Sequence, residues 1–280
     1  MAHIAALLKE AQASLGVVSD TPNLDAEVLL SHVLRQSRSH LHAWPERQLD
    51  SITWERFIHL LERRLHGEPI AYLVERREFW SLDLKVTPAT LIPRPETELL
   101  VELALQRITL DSTARIADLG TGSGAIALAI ARERPHVQLV ATDRDAAALA
   151  VAADNAQRLG LRNVAFQQGD WCAALGGERF AMLVSNPPYL TLDDPHRWQG
   201  DLRFEPSSAL VAGQDGLAAI RKIIDQAVAH LHPEGWLLLE HGYNQAVDVH
   251  ALLNAQGFKD LTTYQDLAGI DRVSCGRRGE

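Results

Sequence analysis

Cysteine is nearly absent: Cys172 and Cys275 are the only two in 280 residues. Two thiols make no disulfide framework, and no CxxC or CxxxC pair offers a zinc site. The twelve histidines are scattered without HExxH or another ligand spacing, so no metal is expected. No apolar run approaches the roughly 18–20 residues that a membrane span needs, so no membrane partner is expected. The opening Met1-Ala2-His3-Ile4 has neither the basic start nor the apolar stretch of a signal peptide, which makes a cytoplasmic location the expectation. Positive charge is also in deficit, with 27 Lys+Arg against 36 Asp+Glu and a net charge of −9. Residues 1–94 are nearly balanced, so the acidic excess falls in residues 95–280. No basic stripe is on offer to a phosphate backbone, and no stable nucleic-acid partner is expected. Apolar side chains, by contrast, make up 46% of the chain, enough for a real core, and the length suits about two domains.

Periodicity divides the chain. Residues 3–15, 22–34 and 54–65 repeat apolar positions at helical spacing. Gly16 and Gly67 stand where two of these helices would stop, and Asp20-Thr21-Pro22 looks like a cap followed by proline in the first turn. These helices form a small bundle, and residues 1–77 are read as the first domain. Between residues 78 and 93, Phe79, Leu82, Leu84 and Val86 suggest a strand pair that Pro88, Pro93 and Pro95 interrupt, so 78–94 is read as a hairpin linker. Residues 95–280 form the second domain. Strands are predicted at 115–119, 137–142, 164–168, 180–185, 235–240, 258–264 and 272–276, and helices at 125–132, 146–159, 217–231 and 245–256. This alternation is the pattern of a doubly wound α/β sheet. Residues 190–216 carry no periodicity, and a loop of that length in a compact domain is usually functional or disordered.

Asp118-Leu119-Gly120-Thr121-Gly122-Ser123-Gly124-Ala125 leaves the first strand of that sheet and opens its first helix. Glycines there let the backbone turn tightly and approach a ligand. Asp143, nineteen residues after Gly124, ends the second strand, where a carboxylate can accept both hydroxyls of a ribose. Gly120, Gly122 and Ala125 also fit the dinucleotide fingerprint, so this motif alone leaves NAD and S-adenosylmethionine level. Asp170-Trp171 follows the third strand. The pair reads either as a contact to an adenine amino group with an indole over the base, or as a turn acid and a packing tryptophan.

Val184-Ser185-Asn186-Pro187-Pro188-Tyr189 leaves the fourth strand at the same sheet edge. A planar NH2 nitrogen has a delocalised lone pair and is a poor nucleophile, so it must be held with its electron density toward an electrophilic methyl. Asn186 offers a side-chain carbonyl to one N–H; Pro187, with no N–H of its own, offers a rigid backbone carbonyl to the other. Tyr189 supplies a face for a flat π-system. Positioning and electrostatics then carry most of the barrier reduction, without a strong base. The same residues also make a good proline turn, but their place downstream of the glycine loop and the acid favours the chemical reading. A hydride-transfer enzyme has no use for a paired carbonyl grip, which breaks the tie against NAD.

Asp118–Ala125, Asp143 and Asn186–Tyr189 resemble the class I S-adenosylmethionine-dependent amino-methyltransferases. Four further segments, Arg77–Trp80, Leu91–Glu98, Phe204-Glu205-Pro206 and Gly213–Leu217, join the leader Asp25–Leu30 in narrowing the likeness. Together they resemble the PrmC or HemK family, the protein-(glutamine-N5) methyltransferases of peptide chain release factors, over nearly the whole chain. The resemblance implies a Rossmann-like seven-stranded sheet behind a small helical bundle and a hairpin. It implies methylation of the glutamine in the Gly-Gly-Gln motif of bacterial class I release factors, by direct SN2 transfer from S-adenosyl-L-methionine to give S-adenosyl-L-homocysteine. It also implies that the bundle and linker hold the release factor. Gly120, Thr121, Gly122, Ser123, Gly124, Asp143, Asp170, Trp171 and Asn186 would contact cofactor, while Asn186, Pro187, Pro188 and Tyr189 would hold the glutamine amide. Val74-Glu75 departs from the small Thr-Gly pair often found in the family.

Three segments remain. Arg94 and Glu96 either line the mouth of the active site or pin the linker to the sheet, and the pinning role is the one expected. Phe204-Glu205-Pro206 reads either as part of a lid or as mere packing, and the lid is preferred because the loop starts at Asn186–Tyr189. Arg63-Arg64 and Arg76-Arg77, interleaved with glutamates, read as solvated faces, with contact to an acidic partner or ribosomal RNA as the alternative. The rival function is N6-adenine methylation of DNA or RNA, whose NH2 poses the same geometric problem. A base-flipping enzyme would need a basic recognition region, which the near-neutral residues 1–94 do not supply.

Overall fold

The computed structural model describes residues 3–280, which pack as two units. The first takes the chain through Arg76 and adds residues 198–204. In α1 (Ile4–Leu15) the buried residues Ile4, Leu7, Leu8, Ala11 and Leu15 keep one helical face, and Gly16 closes it. α2 (Pro22–Leu34) opens on proline, but the expected cap is only positional. Thr21 makes no side-chain cap bond, and its hydroxyl donates to Asp25 at 3.3 Å. Two short helices escaped the periodicity reading, α3 (Arg38–Ala43) and α5 (Ile70–Leu73). α4 (Ser51–Leu65) begins three residues before the expected Trp54, because Asp50 accepts from the Thr53 amide at 2.8 Å and caps the earlier turn.

Ile4, Leu15, Leu29, Leu30, Leu41 and Phe57 form the core of this unit. The leader acids are structural. Buried Asp25 accepts from Arg64 Nε at 2.8 Å and from the Ser19 hydroxyl at 2.8 Å, and buried Glu27 accepts from Arg38 Nε at 2.7 Å. Arg64 is therefore part of the packing rather than of a solvated face. Arg203 donates to the His66 carbonyl at 2.9 Å and draws residues 198–204 into the unit.

The second unit comprises residues 77–197 and 205–280. The hairpin of β1 (Arg76–Phe79) and β2 (Leu82–Lys85) turns on Trp80 and Ser81, both at positive φ as a two-residue turn requires. Buried Asn155 donates to the Lys85 carbonyl at 2.9 Å and accepts from its amide at 2.7 Å, so the hairpin packs as part of this unit. An unforeseen helix, α6 (Glu98–Gln106), follows the prolines and buries Leu100, Val101, Leu103 and Ala104. Then come β3 (Arg115–Leu119), α7 (Ala125–Glu133), β4 (Gln138–Asp143), α8 (Ala146–Leu159), β5 (Val164–Gln168) and β6 (Phe180–Ser185). The expected loop at 190–216 contains two short 3-10 turns and α9 (Ser207–Leu210). A parallel bridge between Leu190 and Val211 brings its ends together. α10 (Ala218–His230), β7 (Leu231–Glu240), α11 (Ala246–Ala255), β8 (Phe258–Gln265) and β9 (Asp271–Arg278) complete the order.

The seven strands lie as β5-β4-β3-β6-β7-β9-β8, with β9 antiparallel to both neighbours and the first five strands parallel. α6, α7 and the hairpin cover one face of the sheet, while α10 and α11 cover the other. Residues 125–131 of α7 are all buried, which explains their unbroken apolar run. The chain runs outward from β3 through β4 to β5, then returns to place β6 on the other side of β3. That reversal opens a crevice at the carboxyl ends of β3 and β6.

Candidate active site

Both halves of the crevice are built by local backbone chemistry. After β3 the amides of Gly120 and Thr121 donate to the Thr142 carbonyl at 2.8 Å each, folding the turn back onto β4. Gly120 has φ +74°, and a Cβ there would lie 2.8 Å from the Trp171 indole. Gly122 has φ +55° with nothing within 4 Å of a Cβ, so its backbone faces open space. Asp143 accepts from the Gly122 amide at 2.9 Å and from the Asp145 amide at 3.0 Å, which fixes its carboxylate at the end of β4.

Asp118, wholly buried, accepts from the Thr121 hydroxyl at 2.6 Å and the Ala127 amide at 3.3 Å. Its Oδ1 has no partner among the described residues. Burial pushes its carboxyl up to about 7, and the Asp143 charge adds to this against the two hydrogen bonds.

On the other side, the Ser185 hydroxyl donates to the Leu119 carbonyl at 2.6 Å and holds the end of β6 against β3. Asn186 follows and donates through Nδ2 to Thr97 Oγ1 at 3.1 Å. Buried Pro187 and half-buried Pro188 lead to Tyr189, whose carbonyl accepts from Gln245 Nε2 at 3.1 Å. Gly216 presses on that same carbonyl, 2.3 Å from where a Cβ would stand. Burial raises the Tyr189 hydroxyl above its usual range, and the Glu240 charge adds to the shift. Glu240 ends β7 and is itself buried. Burial pushes its carboxyl up to about 7, against the Thr97 hydrogen bond and the Arg272 charge.

A cavity of about 370 Å³ collects Gly120, Thr121, Gly122, Ser123, Asp143, Asp170, Trp171, Asn186 and Pro188 in one wall. That size suits a small-molecule ligand. Gly124, Pro187 and Tyr189 lie outside the wall: Gly124 caps α7 from behind, and the other two follow Asn186 along the turn. Asp170 pairs with Lys222 at the rim. The Trp171 indole faces Gly120 and also packs on the α10 side of the core.

Arg94 does not pin the linker to the sheet but lines the cavity. It pairs with Glu205, whose side chain is fully buried and also accepts from the Ile92 amide at 3.0 Å. The linker is thus fastened to the loop after Tyr189, and Pro206 and Ser208 reach the cavity wall. Sequence reasoning missed Thr97, Gln245 and Glu240. Thr97 lies in the Leu91–Glu98 segment already singled out, but nothing local signals the role of any of the three, because each partner lies far away in the chain.

The sheet order, with its antiparallel β9 between β7 and β8, and the glycine loop at the switch point define a class I methyltransferase. A methyltransferase from Pyrococcus furiosus has this fold, with TM-score 0.55 at 19% identity over 78% of this chain and 98% of that one. The sequence model of the PrmC N-terminal domain matches residues 6–74, and that of the methyltransferase small domain matches residues 95–196. The release factor glutamine methyltransferase of Xylella fastidiosa is 55% identical over 91% of this chain and 92% of its own length. That of Coxiella burnetii is 50% identical over 100% of both. The chain belongs to the release factor glutamine methyltransferase family.

Proposed function

We propose that the chain transfers methyl from S-adenosyl-L-methionine to the N5 amide nitrogen of the glutamine in the Gly-Gly-Gln motif of bacterial class I release factors. The observation that carries this reading is the meeting of Asn186 and Pro188 with the glycine loop and Asp143 in one cavity. The residues present fit the donor. Gly122 leaves open space, and the buried Asp118 Oδ1 behind the loop is unpartnered among the described residues. Gly120–Ser123 would hold the donor against the loop, Asp143 would take its ribose hydroxyls, and Trp171 would cover its base. Bound there, S-adenosylmethionine supplies a sulfonium methyl that leaves by direct displacement, giving neutral S-adenosylhomocysteine.

The chain's own work is to orient the nitrogen. Asn186 Oδ1 and the Pro187 carbonyl would each accept one N–H of the glutamine amide, drawing the nitrogen toward a pyramidal, more nucleophilic shape. Tyr189 would stack on the flat amide; its backbone carbonyl is held by Gln245, and Gly216 beside it leaves no room for a Cβ. The leaving group needs no proton. The substrate nitrogen, cationic after attack, gives its extra proton to water. The helical unit and the segment before α6 would hold the release factor, and the reaction would take place in the cytoplasm.

The test is transfer of labelled methyl to a purified bacterial class I release factor, with its Gly-Gly-Gln glutamine→alanine variant and a mixed DNA and rRNA sample alongside. Label in the intact factor alone is expected. Label in nucleic acid with none in the factor would replace this substrate with the N6-adenine alternative.

A further inference from the structure

Asn186 can serve as an acceptor for a substrate NH2 only in one of its two amide orientations. Rotated by half a turn, it would present its own NH2 to the substrate NH2, donor against donor. Something must select the orientation, and the residues behind Asn186 are arranged to do so. Asn186 Nδ2 donates to Thr97 Oγ1 at 3.1 Å. Thr97 is 4% exposed, where the 3-10 turn of Pro95–Thr97 meets α6, and Glu240 is 1% exposed at the end of β7. Ser185 pairs with Leu239, so Glu240 stands level with Asn186 on the neighbouring strand; the Thr97 hydroxyl and the Asn186 amide both favour its ionised form, and Glu240 Oε2 has no hydrogen bond of its own among the described residues.

We propose that Thr97 and Glu240 are positioning residues that lock the Asn186 side chain with its NH2 inward, so that Oδ1 is presented to the substrate amide. The proposal rests on the assignment of Asn186 as the amide holder. A hydroxyl has one proton, so a Thr97 that accepts from Asn186 keeps that proton to direct at the Glu240 carboxylate, which would give the three groups one direction. An ionised carboxylate only accepts, and a flipped Asn186 would set its oxygen against that carboxylate. Removing either the hydroxyl or the negative charge takes away the bias while leaving Asn186 in place.

The charge state of Glu240 should therefore be visible in the rate. Burial lifts its carboxyl to about 7, with Arg272 opposing the lift and Glu96 reinforcing it; Tyr189 also faces it. Below that value a protonated Glu240 brings a donor of its own, that direction is lost, and the rate falls.

The experiment measures methyl transfer to a purified release factor by the full chain and by Asn186→Ala, Thr97→Val, Thr97→Ser and Glu240→Gln. Cofactor affinity by calorimetry and the melting temperature are read in parallel. Thr97→Val is expected to lower kcat by about 10- to 100-fold, as misplacement of a positioned group does. KM, cofactor affinity and melting temperature should stay near the unsubstituted values, and Thr97→Ser should recover most of the rate. Glu240→Gln, nearly isosteric, is expected to lower kcat and remove the acid limb near pH 7. Full activity in Thr97→Val, a Thr97→Ser no better than Thr97→Val, or an acid limb that persists in Glu240→Gln would overturn the proposal. If Thr97→Val does not fold, Thr97→Ser and Glu240→Gln still decide it. Full activity in Asn186→Ala would instead overturn the assignment on which it rests.

Discussion

The hydroxyl of Ser185 donates to the carbonyl of Leu119 at 2.6 Å with both residues fully buried, tying the last residue of β6 to the last residue of β3. One bond thus couples the strand that leads to Asn186 to the strand that leads to the glycine loop. Ser185→Ala should cost about 1–3 kcal/mol, the usual penalty for stripping a buried partner. It should appear as a lower urea midpoint at unchanged slope. Methyl transfer should fall further than stability alone explains, and an unchanged rate would show that the two strand ends hold their alignment without it.

Gly120→Ala should weaken cofactor binding. The left-handed backbone alone costs about 1–2 kcal/mol for a residue with a Cβ. The added methyl must also move the Trp171 ring, which lies 2.8 Å away. Calorimetric titration with S-adenosylmethionine checks this, and an unaltered affinity would remove Gly120 and the indole from the binding wall.

Glu205→Ala should loosen the loop at 190–216. It leaves the Arg94 guanidinium and the Ile92 amide without their buried acceptor, and breaking a pair of this kind costs about 3–5 kcal/mol. Limited proteolysis should cut between residues 190 and 216 faster than in the unsubstituted chain. Methyl transfer should fall with it, since Pro206 and Ser208 line the cavity.

Stability should decline as pH rises from about 4 to about 7 through the contribution of Asp118. Its carboxyl titrates at about 7 when folded, against an ordinary value of 3.8. In that interval the native chain keeps a proton that the unfolded chain has lost, so rising pH favours unfolding, and the effect levels off above the folded value. Asp118→Asn should flatten this part of the curve in denaturant titrations taken across the interval. A slope equal to that of the unsubstituted chain would mean that Asp118 is ionised in the native state throughout.

The reach of sequence reasoning here follows chain distance. Asp118–Ala125 and Asn186–Tyr189 are contiguous, and their turns follow from glycine and proline within the segment, so their backbone course was readable. Asp143 was readable because β4 must end level with β3, and Leu119 does pair with Thr142. The supports behind these groups were not. Thr97 meets Asn186 from 89 residues away, Gln245 meets Tyr189 from 56, and Glu205 meets Ile92 from 113. Apolar periodicity cannot specify such polar pairings. The unforeseen helices have a local cause: α3 and α5 are too short to show a period, and α6 begins directly behind Pro93 and Pro95.

The position of β9 governs the order in which the sheet can be assembled during synthesis. The strand made last of the seven is not an edge but the partner shared by β7 and β8. A nascent chain that has emerged only as far as β8 can pair β3 through β7, yet it leaves the outer flank of β7 bare and β8 with no neighbour. The ribosome must therefore release residues 271–278 before this flank closes, and until then β7, which carries Glu240, is an open edge available to any extended segment nearby.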